Sequence, residues 1–234
     1  MGIKTVMLKK IILAIAVLVL AAGPAFADIA SDKQLIEAAR TGKASLVKSL
    51  IKKGANINFK DAVGATALIR AVVNNKKETV KVLLDSGADV NVKDKDGSTA
   101  LMGAALNGYT DYARMLLQKG ADVNAKANEG ETAIIYAAVL GHTDIVRLLL
   151  DKGADVNAKN NSGVTALMSA AYAGQAESVR AVALGGMLDG TFFHSGAALS
   201  RIRGIAADPS IPESLRQDAR AMVQQRQSPN RPGP

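Results

Sequence analysis

Few residues in this 234-residue chain could do chemistry. Without cysteine there is no disulfide, thiol nucleophile, thiolate metal site or lipid-modified cysteine. Two histidines, His142 and His194, cannot supply a three-His metal centre. His194 and Ser195 set a base beside a hydroxyl, but adjacent residues are poor geometry for a catalytic triad. No Gly-rich phosphate loop, metal-spaced cluster or carboxylate pair is legible. No catalytic, cofactor-binding or metal-binding residue is therefore nominated, and an enzyme is not expected. Aromatic residues make up only 3% of the chain, which leaves few platforms for stacking bases or sugars. With 48% hydrophobic and 21% charged residues, the composition is that of a globular chain.

The net charge of +8 has to be located before it is interpreted. Lys4, Lys9 and Lys10 form a basic start, Ile11 to Ala22 is an unbroken apolar run, and Gly23-Pro24 breaks any helix. Ala25-Phe26-Ala27 then gives a small-x-small cleavage pattern before Asp28. Residues 1–27 read as a signal peptide whose removal lowers the charge to +5. That balance argues against nucleic acid as partner. The alternative is an uncleaved membrane anchor, although a span needs about 20 apolar residues. Export implies a periplasmic protein with no stable membrane insertion after cleavage; inner-membrane anchoring or secretion are the alternatives. A cysteine-free chain suits an oxidising compartment.

Two words recur every 33 residues. The first is Gly54-Ala-Asn-Ile-Asn58, repeated from Gly87, Gly120 and Gly153 as Gly-Ala-Asp-Val-Asn. The second is Thr66-Ala-Leu68, repeated from Thr99, Thr132 (with Ile134 as third residue) and Thr165. The threonines are placed to cap helix N-termini. Glycines at 108, 141 and 174, with Asn75 in the same place, suit the left-handed residue that ends a helix. A second helix carries apolar residues at helical spacing: Val80, Leu83 and Leu84; Leu116 and Leu117; Ile145, Val146, Leu148 and Leu149. It ends at Gly87, Gly120 and Gly153. One such pair cannot bury both faces alone, so neighbours must stack.

The pattern resembles the ankyrin repeat, with its 33-residue period and T-P-L-H-x-A signature. Pro of that signature is Ala67, Ala100, Ala133 and Ala166 here, and His is Ile69, Met102, Ile135 and Met168, a Thr-Ala-Leu-Met style resembling exported bacterial members. The resemblance implies an all-α solenoid of helix-turn-helix units with β-hairpin-like fingers. Five repeats are read across 28–192: 28–60, 61–93, 94–126, 127–159 and 160–192. The first is a degenerate N-terminal cap with Leu35, Ala38, Ala39, Leu46, Val47, Leu50 and Ile51 in core register, and the last diverges at its end. Residues 193–226 read as a helical C-terminal cap, and 227–234 as a disordered tail.

The resemblance also implies protein binding through the finger tips and the concave face of the inner helices. The tips are Val63, Lys95, Asp96, Asn128, Glu129 and Asn161, with Ala62 and Ser162 beside them. Val73, Leu106, Val139 and Tyr172 share one register position and form an apolar row. Neighbouring helices could equally bury it in part. Lys60, Lys93, Lys126 and Lys159 form a second row, spaced roughly 10 Å apart if the helices stack. With Asp94, Asp122 and Asp155 interspersed, a solvated structural row is preferred to one that attracts an acidic partner. The expected function is a monomeric, non-catalytic periplasmic adaptor for another protein, supporting a stress-defence enzyme. The alternatives are a membrane-tethered structural protein and a secreted host-directed effector.

Overall fold

The computed structural model describes residues 29–188 and scattered positions between 203 and 224. The signal peptide, most of the C-terminal cap and the tail lie outside the described residues. The scattered positions are helical, and Glu213 pairs there with Arg216 and, at 3.1 Å, with Arg220. The chain forms two compact units that divide after Asp89.

The first unit contains α1 (residues 29–41), α2 (Ala44–Lys52), α3 (Ala67–Val73) and α4 (Lys77–Asp85). The second contains α5 (Ala100–Asn107), α6 (Thr110–Gln118), α7 (Ala133–Val139), α8 (Thr143–Asp151), α9 (Ala166–Tyr172) and α10 (Ala176–Leu188). In the second unit each inner helix packs on its own outer helix. The inner helices α5, α7 and α9 stack in order, and so do α6, α8 and α10. This is an all-α repeat solenoid. Its fingers carry no strand among the described residues; one isolated antiparallel bridge joins Lys159 to Thr165.

Most helix starts follow the threonine reading. Thr66, Thr99 and Thr165 each accept the N–H three residues on, at 3.3 to 3.4 Å. Thr132 departs from it. Its hydroxyl is buried without a partner, and the Ile135 N–H turns instead to its carbonyl at 3.1 Å. The inner helices α5 and α7 end on left-handed Gly108 and Gly141, and Asn75 takes φ 56 after α3. Here the glycine is also a packing requirement, because a Cβ at Gly108 would lie 2.7 Å from the His142 ring.

The core is made by both helix rows: Leu68, Leu83, Leu101, Leu116, Ile134, Ile145 and Leu149 are all but fully buried. The signature position is core as well at Ile69, Met102 and Ile135, whereas Met168 is half-buried. Two expectations need correction. Leu46 and Ile51 are half-buried, not core, and Ile36 of α1 is buried in addition to the residues expected. Leu117 is half-buried, because Tyr112 and Ala113 fill the inward face of α6 with Leu116. The last repeat diverges at its end, and α10 does not stop where α8 does. Gly186 holds the register of Gly153, yet the helix runs on to Leu188, and Gly185 sits so close to Leu150 that a Cβ would come within 2.7 Å.

Candidate functional site

Three of the four fingers turn on one side chain. Asp61 Oδ1 accepts the N–H of Val63 and of Ala65, both at 3.0 Å. Asp94 does the same for Asp96 and Ser98, and Asn160 for Ser162 and Val164. Ala127 has no such oxygen. Its finger keeps only the backbone bond that all four share, here from Ala127 N–H to the Glu131 carbonyl at 2.9 Å.

Neighbouring fingers are then bonded to one another through the residues first read as contacts. Lys93 Nζ donates to the Lys126 carbonyl at 2.7 Å, and Lys126 Nζ to the Lys159 carbonyl at 3.2 Å. The geometry favours the structural reading of this row within the second unit. Lys60 is exposed in the first unit. At the tips, Asn128 donates its side-chain amide to the Lys95 carbonyl and its N–H to the Asp96 carbonyl. Asn161 repeats this on Asn128 and Glu129. Two of the nominated tip residues therefore hold the array together, while the side chains of Lys95, Asp96 and Glu129 remain exposed.

A further row went unread in the sequence. Asn58 Oδ1 accepts the N–H of Asp89, Asn91 that of Asp122, and Asn124 that of Asp155, at 2.8 to 3.0 Å. The amides of Asn91 and Asn124 also donate to the carbonyls of Gly120 and Gly153, each at 3.1 Å. The chain start has no preceding asparagine. Buried Asp32 of α1 takes that role, accepting the N–H of Asn56 at 2.6 Å.

The apolar row is only partly exposed. Val73 is exposed in the first unit, as is Val63 at its finger tip. In the second unit Leu106 is 48% and Tyr172 74% exposed, whereas Val139 is half-buried. Leu140, one residue on and 44% exposed, was missed. Its signal was an apolar residue in a register that otherwise holds Asn74, Asn107 and Ala173.

One turn before this row, a single register position holds Arg70, Gly103, Tyr136 and Ser169. In the first unit Arg70 donates through Nε and Nη2 to Asp61 Oδ2, at 2.7 and 2.5 Å. Burial works to raise the Asp61 carboxyl, but this bond and the N–H groups of Val63 and Ala65 outweigh it and hold it below its ordinary value. In the second unit the finger residue is again an acid, Asp94, but its counterpart Gly103 has no side chain. Among the described residues Asp94 makes no ion pair. Tyr136 is half-buried nearby, with Ser98 in reach of its hydroxyl. Its hydroxyl is raised above its ordinary value by burial first and then by the carboxylates of Glu131, Asp94 and Asp96, with Ser98 opposing.

His142 lies against the Gly108 turn, whereas His194 and Ser195 fall outside the described residues. Among the described residues no three acidic or histidine side chains gather as a metal site, and no helix is long and apolar enough to cross a membrane. A family model described as ankyrin repeats, in three copies, matches residues 35–127 and again 124–187. No curated protein matches the chain.

Proposed function

The chain belongs to the ankyrin-repeat family, and on that premise we propose that it is a non-catalytic scaffold that binds another protein through the concave side of its inner helices and the exposed finger-tip side chains. The observation that carries this reading is the exposure of Leu106, Leu140 and Tyr172 at the ends of the successive helices α5, α7 and α9. Exposed large apolar side chains gathered at the same end of stacked elements mark interaction surfaces more often than isolated ones do. The resemblance to exported bacterial members and the pattern of residues 1–27 support a periplasmic location, with a monomeric chain serving a stress-defence enzyme.

Capture from a periplasmic extract, comparing the wild-type chain with a Leu106→Asp, Val139→Asp, Tyr172→Asp variant, tests the surface. Loss of a co-purified protein in the variant is expected, and unchanged capture would overturn the assignment. Sequencing the mature N-terminus tests export: the first residue is expected to be Asp28, and a retained Met1 would overturn cleavage.

A further inference from the structure

The repeats themselves show what the concave face of the second unit lacks. Asp61 and Asp94 hold the same register, and both spend Oδ1 on the two finger N–H groups. Asp61 fills its second oxygen with the Arg70 guanidinium. At Asp94 that guanidinium is missing, because the Arg70 position is Gly103. Tyr136, half-buried on the next inner helix in the register of Gly103, is near enough to feel the charge of Asp94, together with that of Glu131 and Asp96. At the ends of α5, α7 and α9 lie exposed Leu106, Leu140 and Tyr172. The nearby lysines Lys93 and Lys126 direct their ammonium groups along the fingers onto backbone carbonyls.

We propose that this face docks an amphipathic segment of the partner protein, whose apolar side chains cover Leu106, Leu140 and Tyr172 while one arginine enters beside Tyr136 and binds Asp94 in the place Arg70 takes on Asp61. The inference rests on the scaffold reading and specifies the partner's chemistry. Arginine is preferred to lysine because its planar fork can bring two N–H groups to the one remaining oxygen, as Arg70 does at Asp61 Oδ2, and stack on an aromatic face. The apolar row supplies contact area, and the cationic seat fixes register and orientation.

The test uses the full chain and two synthetic peptides of equal length, rich in leucine, with a single central arginine or, in its place, the isosteric and neutral citrulline. Titration calorimetry is expected to show the arginine peptide binding at least about tenfold more tightly, the order of one charge-assisted hydrogen bond. Gly103→Arg would fill the seat from within, as Arg70 does, and is expected to abolish the preference. Asp94→Asn is expected to do the same while leaving the finger intact, since Asn160 already serves that turn in the last finger. This second variant decides the matter if Gly103→Arg does not fold by circular dichroism. Equal binding of the two peptides by the wild type, binding of neither, or a preference that survives Asp94→Asn would overturn the proposal. The apolar reading is separable. If Leu106→Asp with Tyr172→Asp weakens neither peptide while the arginine preference persists, the cationic seat stands and the apolar contact is rejected.

Discussion

At the start of each inner helix a threonine hydroxyl either meets an orphan N–H or is buried at a cost, and the repeats contain both cases. Thr99 accepts the Met102 N–H at 3.3 Å, whereas the Thr132 hydroxyl is buried with no partner. Valine keeps the shape of threonine and removes the oxygen. Thr99→Val is therefore expected to cost about 1 kcal/mol, and Thr132→Val to be neutral or stabilising, read as urea midpoints. Nothing in the Thr-Ala-Ile word at 132 announces this difference, because it arises from where one backbone N–H, that of Ile135, turns. The Asp61–Arg70 pair gives a pH prediction. The Asp61 carboxyl is lowered by folding, so its contribution is fully present above the unfolded value of about 3.9 and is lost as pH falls through the lower folded value. Asp61→Asn is expected to flatten the dependence of the urea midpoint on pH below about 4, and a parallel curve would show that the pair does not contribute.

At the scale of the element, the turn after each inner helix joins backbone conformation to packing. Gly108 adopts φ 72 and lies under the His142 ring, so Gly108→Ala meets both a left-handed backbone and a clash. A loss of more than about 1 kcal/mol is expected. Gly153→Ala, at φ 82 with nothing within 4 Å, is expected to lose only the backbone part. The glycine spacing made these helix ends legible in the sequence, and the threonines made the starts legible. The rows between fingers were less so. Asn91 and Asn124 look like ordinary loop residues, and their role appears only when the next repeat brings a carbonyl and an N–H to opposite sides of the amide. Likewise Lys93 could be read as a surface charge until Lys126 offers its carbonyl. Asn124→Ala removes two such bonds and is expected to cost about 1–2 kcal/mol in the denaturant midpoint.

At the scale of the whole molecule, stability within each unit is expected to be set by nearest neighbours, as in repeat proteins generally. Leu116 is fully buried, and Leu116→Ala is expected to cost about 2–5 kcal/mol. Within the second unit, hydrogen exchange should accelerate first in α5 to α8 and least in α9 and α10; uniform acceleration would show that this unit unfolds as one block. The period alone revealed this repeat architecture, because four in-register copies carry their own alignment. The cationic seat was hidden for the same reason. It is defined by what one copy lacks, Gly103 against Arg70, and by Tyr136 arriving from the next. The finger bonds carry a further consequence for how such a chain can change. Lys93 reaches residue 126 and Asn91 reaches residues 120 and 122, so every tie presumes a neighbour displaced by one full period. Inserting or deleting a single residue within a finger breaks the ties on both sides, whereas gain or loss of a whole 33-residue copy preserves them all. The length of this protein is thus free to vary by duplication, in quanta, and nearly fixed in between.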